Sequence, residues 1–215
     1  MKQRNLSPLD QLLVSLDSGL RTIFGTPPLT ERPNPAEDIE ETELNAEERE
    51  LAGRLMRINH AGEVSAQGLY QGQALTAKLP DVREKMERAA MEENDHLEWC
   101  ERRLNELGTH KSLLNPAWYL GSLAIGAIAG AAGDKWSLGF VAETEHQVIK
   151  HLDEHLAQVS DKDQKTRAIL EQMKVDESHH ATVALQHGGA QLPWPVRNIL
   201  MPLMSKVMTG SAYRI

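Results

Sequence analysis

The feature that most constrains this chain is a pattern that occurs twice: a lone glutamate followed at a set distance by Glu-x-x-His. In the first copy Glu63 lies 16 residues before Leu79, and Glu93 and His96 lie 13 and 16 residues after Pro80. In the second, Glu145 lies 15 residues before Ser160, and Glu177 and His180 lie 16 and 19 residues after Asp161. On a helix the side chains at i and i+3 project from one face, and each residue adds about 1.5 Å of rise. Folding each copy back as a helical hairpin therefore brings its glutamate level with its Glu-x-x-His pair. Two such hairpins would bring four glutamates and two histidines to one height of a four-helix bundle.

Punctuation and composition agree with that bundle. Helices are expected from about Ala46 to Ala77, from Asp81 to Leu107 closed by Gly108, from Lys135 to Val159, and from Asp161 to His187 closed by Gly188-Gly189. Aromatic residues make up 4% of the chain, and Ala, Leu, Glu, Gln, Lys and Met, which favour helices, are abundant. The fold class is all-α, and 215 residues suit one domain with appendages. Residues 1–25 carry Ser7-Pro8-x-Asp10, a helix-start signature, and then Leu12, Leu13, Leu16, Leu20, Ile23 and Phe24 at helical spacing, so an amphipathic helix is expected there. Residues 26–45 hold four prolines and the acids Glu37, Asp38, Glu40, Glu41 and Glu43, and are expected to be a solvated linker with no chemistry. The main domain spans residues 46–215.

One glutamate from each of two helices plus Glu-x-x-His from each of the other two is the ligand set of ferritin-like di-metal carboxylate proteins. The candidate metal ligands are Glu63, Glu93, His96, Glu145, Glu177 and His180. Four carboxylates neutralise two dications, and imidazole completes each coordination sphere. An oxygen-rich set of this kind suits iron, or else manganese, better than zinc. A third match, Glu143-Thr144-Glu145-His146, is expected to contribute only Glu145, because that residue matches Glu63 in its half. His60, His151 and His179 are candidates for orienting the ligand carboxylates. The formal charge of −8 argues against a nucleic-acid partner, and the single cysteine, Cys100, excludes an intramolecular disulfide or a cysteine-based cluster.

Two apolar segments are expected to face a membrane. The uncharged run from Ser112 to Gly133 is rich in Gly and Ala and interrupted by Asn115-Pro116, which suits an interfacial or re-entrant placement, or tight packing on the bundle, better than a span. Its glycines also allow a homodimer contact. Residues 192–215 combine an apolar stripe of Trp194, Ile199, Leu200, Leu203, Met204, Val207 and Met208 with Arg197, Lys206 and Arg214, and no acid follows Glu177. That suits an amphipathic interfacial helix or a core-capping helix. The first residues lack an apolar signal core, so no secretory signal is expected and the cytoplasmic face of a bacterial cell membrane is the expected location.

Arg57-Ile58-Asn59-His60-Ala61-Gly62-Glu63, both Glu-x-x-His motifs, the Gly/Ala-rich segment and the ending Met208-Thr209-Gly210-Ser211-Ala212-Tyr213 resemble the Coq7 family, the di-iron 3-demethoxyubiquinol hydroxylases of ubiquinone biosynthesis. The resemblance covers roughly Glu47 to Ile215. It implies a ferritin-like bundle and two iron ions per chain on the same six residues. It also implies a polyprenyl methoxy-methyl benzoquinol and O2 as substrates, peripheral membrane association, and other ubiquinone-biosynthesis proteins as partners. The chain departs from the family at Leu152, where a tyrosine is frequent after the equivalent of His151, so no relay role for that tyrosine carries over. Two other functions use related features: a ferritin- or rubrerythrin-like di-iron oxidase, and a non-enzymatic scaffold at the membrane surface. The lack of a Cys-x-x-Cys site and the two apolar segments weigh against the first, and metal content would separate the second.

Overall fold

The computed structural model describes residues 8–30 and 32–215, without the side chains at 8, 9, 11, 12, 80, 81 and 83. Among these residues the secondary structure is entirely helical. The elements are α1 (Pro8–Phe24), α2 (Ala46–Thr76), α3 (Pro80–Glu106), α4 (Asn115–Ala132), α5 (Asp134–Leu156), α6 (Gln164–Gln186) and α7 (Met201–Ala212). The cap expected at Ser7 lies outside the described residues.

The bundle is built from two hairpins, α2–α3 and α5–α6. Asn45 starts α2 with a reciprocal cap, its side chain accepting from the Glu48 amide while the Glu48 carboxylate accepts from the Asn45 amide, both at 2.9 Å. Pro80 opens α3 where a missing N–H costs nothing, and Asp163 caps α6 through the Thr166 amide. Gly108, at φ 73°, ends α3 in the left-handed region that favours glycine. Below the six candidate ligands, Leu55, Met56, Leu104, Leu152, Leu170 and Met173 close one apolar core.

The connector between the hairpins, α4, packs along α2 with backbones nearly touching. A Cβ at Gly68 or Gly72 would run into backbone atoms of Tyr119 and Leu123, and one at Gly126 into the Leu69 carbonyl. The small residues of 112–133 thus serve an intramolecular contact, while Leu120 and Ile128 on the other side stay exposed. Among the described residues no helix is long and apolar enough to cross a membrane. Near the end of the chain Pro202 has no N–H to donate back to residue 198, and the preceding turn, Val196–Leu200, widens into a π turn with the Met201 amide on the Val196 carbonyl. Helix α7 then lies beside α2, burying Met201 and Ala212 and exposing Leu203 and Val207.

The stretch at 26–45 corrects the expectation of a free linker without chemistry. Its acids are largely exposed, but Ala36 and Leu44 are buried in the main core, and two arginines pin it down. The buried Arg103 of α3 donates to Glu41 at 2.6 and 3.1 Å while also holding Asp163 at 2.9 Å. Arg32, from the stretch itself, pairs with Asp95 and Asp176 at 2.7 Å each. A composition dominated by acids and prolines hid two specific charge partners.

Candidate metal centre

Glu63 of α2, Glu93 and His96 of α3, Glu145 of α5, and Glu177 and His180 of α6 converge inside the bundle, all buried. Their donor atoms form two overlapping groups, each within 4.8 Å: Glu63, Glu93, His96 and Glu177 in one, and Glu93, Glu145, Glu177 and His180 in the other. Glu93 and Glu177 belong to both, and their atoms show how. Glu93 turns Oε2 toward His96 Nδ1 at 2.9 Å and Oε1 toward His180 Nδ1 at 3.2 Å. Glu177 turns Oε1 toward His96 Nδ1 at 3.2 Å and Oε2 toward His180 Nδ1 at 3.3 Å. Each of these carboxylates thus turns one oxygen toward each group, while Glu63 and Glu145 belong to one group apiece. Glu143 and the exposed His146 lie outside both groups.

Burial of so many acids is costly unless something neutralises them. Burial, then the neighbouring Glu93 charge, pushes Glu63 well above the usual carboxylate range. Burial and the charges of Glu177 and Glu93 do the same to Glu145. Burial also pushes Glu93 up, but the charges and hydrogen bonds of His96 and His180 outweigh it and hold this carboxyl well below the range. Burial works against protonating His96 and His180, yet the surrounding carboxylates raise both well above an ordinary imidazole. Protons thus stand where cations would. Glu93 Oε1, completely buried, has His180 Nδ1 beside it at 3.2 Å but no well-directed hydrogen bond among the described residues, as fits an atom whose intended partner is a metal ion. The donor set and this orphaned oxygen fit two oxygen-preferring divalent ions.

The outer imidazole nitrogens are held by two residues that sequence reasoning missed. His96 Nε2 faces Asp176 Oδ2 at 2.9 Å, and His180 Nε2 faces Glu92 Oε2 at 2.7 Å. Each acid directly precedes the motif glutamate of the opposite helix, and the acidic doublets Glu92-Glu93 and Asp176-Glu177 were a signal in plain sight. The three histidines expected to orient ligand carboxylates make other contacts, and His151 also lines the cavity that ends on Glu63, Glu145 and Glu177. His60 approaches the Asn115 amide at 3.3 Å, His151 contacts Ser205 at 2.8 Å and Glu154 at 3.5 Å, and His179 is exposed. Tyr70, two turns after Glu63, was also missed, and its buried hydroxyl donates to Glu145 Oε1.

Asn59 Oδ1 accepts from His155 Nδ1 at 2.8 Å, His60 ties α2 to α4 through Asn115, Ala61 is core, and Glu63 reaches the centre. Gly62 borders a cavity of about 450 Å³ that runs between α2, α4, α5 and α7 and ends on Glu63, Glu145 and Glu177. Its walls include Ala66, Leu69, Trp118, Ile125, Phe140 and Val148, with Leu203, Met204 and Val207 of α7 closing one side. The Ser65 and Thr144 hydroxyls on this wall donate to their own helix carbonyls at 2.8 and 2.9 Å. The passage is therefore greasy up to the carboxylates.

The family model described as "Ubiquinone biosynthesis protein COQ7" matches residues 50–212. The chain is 60% identical over its full length, and that of the relative, to a 3-demethoxyubiquinol 3-hydroxylase of Nitrosococcus oceani. It is 58% identical over 99% of both chains to the protein of the same name from Ectopseudomonas mendocina. It is 54% identical to that of Legionella pneumophila, over 99% of this chain and 100% of the relative. With a match over most of its length and relatives of this identity, the chain belongs to the COQ7 family of ubiquinone-biosynthesis proteins.

Proposed function

We propose that this protein is a monooxygenase that hydroxylates the ring of a polyprenyl methoxy-methyl benzoquinol, demethoxyubiquinol, with O2. The observation that carries this reading is the greasy cavity ending on three of the six converging ligands, in a chain whose full-length relatives bear the name of that hydroxylase. Two iron ions per chain would be held by Glu63, Glu93, His96, Glu145, Glu177 and His180. Bound iron would supply the reduction of O2 that a ring hydroxylation needs. One oxygen atom enters the ring C–H bond and the other leaves as water, with two electrons from a donor outside the chain and two protons from solvent.

The protein's own residues orient, exclude water and hold protons. The cavity wall takes the ring and the first part of its isoprenoid tail and offers few polar atoms to compete for it. Tyr70 fixes one oxygen of Glu145 and leaves the other for metal. Asp176 and Glu92 fix the tautomer and direction of His96 and His180, so that Nδ1 of each faces the centre. Helix α7 shields the cavity from bulk water along one side. Anaerobic loading with ferrous iron, followed by an assay of reduced demethoxyubiquinone with O2, tests the reading. A ring-hydroxylated product is expected, and iron oxidation without product would favour a ferritin-like oxidase.

A substrate with a long isoprenoid tail stays in a bilayer, so the protein is expected to dock on the cytoplasmic face of the cell membrane. Exposed Leu16, Leu20 and Phe24 of α1 and Trp194, Ile199, Leu200 and Leu203 around the π turn support this, as does the absence of any acid after Glu177 in a segment with Arg197, Lys206 and Arg214. Sedimentation with anionic lipid vesicles tests it: the parent should pellet with them, and a Phe24→Glu/Ile199→Glu variant should stay in solution.

A further inference from the structure

The two halves hold their imidazoles alike but secure the supporting acids differently. Glu92, behind His180, is held by Arg88 at 2.7 Å, one turn earlier on the same helix and more than half exposed. Asp176, behind His96, is held at Oδ1 by the neutral amide of Gln172, one turn earlier on its own helix, at 2.9 Å, and its only cationic partner among the described residues besides the imidazole is Arg32, on Oδ2 at 2.7 Å. Arg32 comes from the 26–45 strap, which lies outside the bundle and outside the residues that the family model matches. Its Nη1 reaches the same Asp176 oxygen that faces His96. Its Nε reaches Asp95 at 2.7 Å and its Nη2 donates to the Glu92 carbonyl at 3.2 Å. The guanidinium lies 5.2 Å from the centre of the Trp99 ring, and that ring lies 5.2 Å from the His96 imidazole. The strap is itself seated, by Glu41 on Arg103 and by Thr30, which donates to Asp95 through its amide at 2.8 Å and its hydroxyl at 2.5 Å.

We propose that Arg32 is a positioning residue for one of the two metal positions, the one served by Glu63 and His96. A fork of N–H donors that grips Asp176 and Asp95 together fixes the Asp176 carboxylate as the acceptor for His96 Nε2–H. That fixes the direction in which His96 Nδ1 points. The strap is thereby part of the metal centre, and the two metal positions differ in how they can be weakened. The one at Glu145 and His180 is supported from within the bundle. The one at Glu63 and His96 takes its cationic support from a segment outside the four bundle helices. This rests on the reading of the six residues as a two-metal site.

The test uses the full chain in four forms: parent, Arg32→Ala, Arg32→Lys and Thr30→Val. Each is loaded anaerobically with ferrous iron, and iron release to a chelator is followed in time beside circular dichroism and melting of the metal-free proteins. The parent is expected to keep two irons. Arg32→Ala should release one of them about 10–100-fold faster, the usual scale for losing an outer-shell partner, with the second leaving at the parent rate and the metal-free melt unchanged. Arg32→Lys should fall between them, since one ammonium cannot span both aspartates, and so should Thr30→Val, which removes the hydroxyl contacts to Asp95 and to the Arg32 amide but keeps the Thr30 amide on Asp95. Equal retention in Arg32→Ala and parent would overturn the proposal, and so would acceleration of both irons together. A parent that keeps no iron would overturn the metal-site reading itself, and this assignment with it.

Discussion

His96 Nε2 lies 2.9 Å from Asp176 Oδ2, on the residue that directly precedes Glu177 of the facing helix. With the matching contact from His180 to Glu92 at 2.7 Å, each Glu-x-x-His motif is completed by the other helix. Asp176→Asn and Glu92→Gln keep the shape of each acid but remove its charge, so both should lower metal affinity by about 10–100-fold while leaving helicity intact. Competition with a chromophoric chelator measures this, and parent-like affinity in both variants would count against the cross-bracing.

Metal-free protein should lose stability as pH rises through neutrality. Glu63, Glu145, His96 and His180 all bind protons more tightly in the fold than in the unfolded chain. The unfolded chain gives up those protons near the ordinary values of 4.5 and 6.5. Between about pH 4.5 and 6.5 His60 and His155, which burial holds down to about 3 and about 4, offset the two glutamates, and above about pH 6.5 the native state holds more protons than the unfolded one, so stability falls with pH. Glu93, held low, acts in the opposite direction, but only below that window. Metal must displace the same protons, so its affinity rises with pH and loading releases protons. Thermal melts from about pH 6.5 to 8.5 with and without ferrous iron should show the metal-free melting temperature falling and the stabilisation by metal growing.

The glycines of α2 should divide into two kinds. Gly72→Ala would drive a Cβ into the backbone of α4 at Leu123 and should destabilise the fold by about 1–3 kcal/mol, the usual range for overpacking. Gly62→Ala meets nothing within 4 Å and should stabilise it by about 0.5–1 kcal/mol through lower helix-interior entropy cost. Denaturant melts of the two variants measure opposite signs.

Gly62 also tests the cavity. Gly62→Leu would project into the greasy passage beside Glu63. Metal content should stay at the parent level while turnover of the quinol falls at least about tenfold, a barrier change of about 1.4 kcal/mol. Unchanged turnover would place the substrate path elsewhere.

Much of this was legible in the sequence because helical hairpins turn spacing into height. Residues 15 or 16 before a turn come level with those 13 to 19 after it, so the six buried donors pair from spacing alone. The pairing of histidines with outer partners was not legible from histidine positions. His60 serves the α2–α4 contact and His151 a tie to Ser205, whereas the partners are acids that looked like ordinary surface charge. The strap was hidden for the same reason: Arg32 and Glu41 matter through Asp95, Asp176 and Arg103, residues more than 60 positions away. The Gly/Ala run announced close packing but not its partner, because small residues suit α2 of the same chain, a second copy or a lipid surface equally.

The most direct test of the central claim is iron analysis of the purified full-length protein, parent and Glu177→Ala, joined to a product assay on reduced demethoxyubiquinone. The expected result is about two irons per parent chain and a ring-hydroxylated product, with both lost in Glu177→Ala while the helical signal persists. A parent that binds no iron after anaerobic loading, or a Glu177→Ala variant that still hydroxylates the ring, would contradict the account.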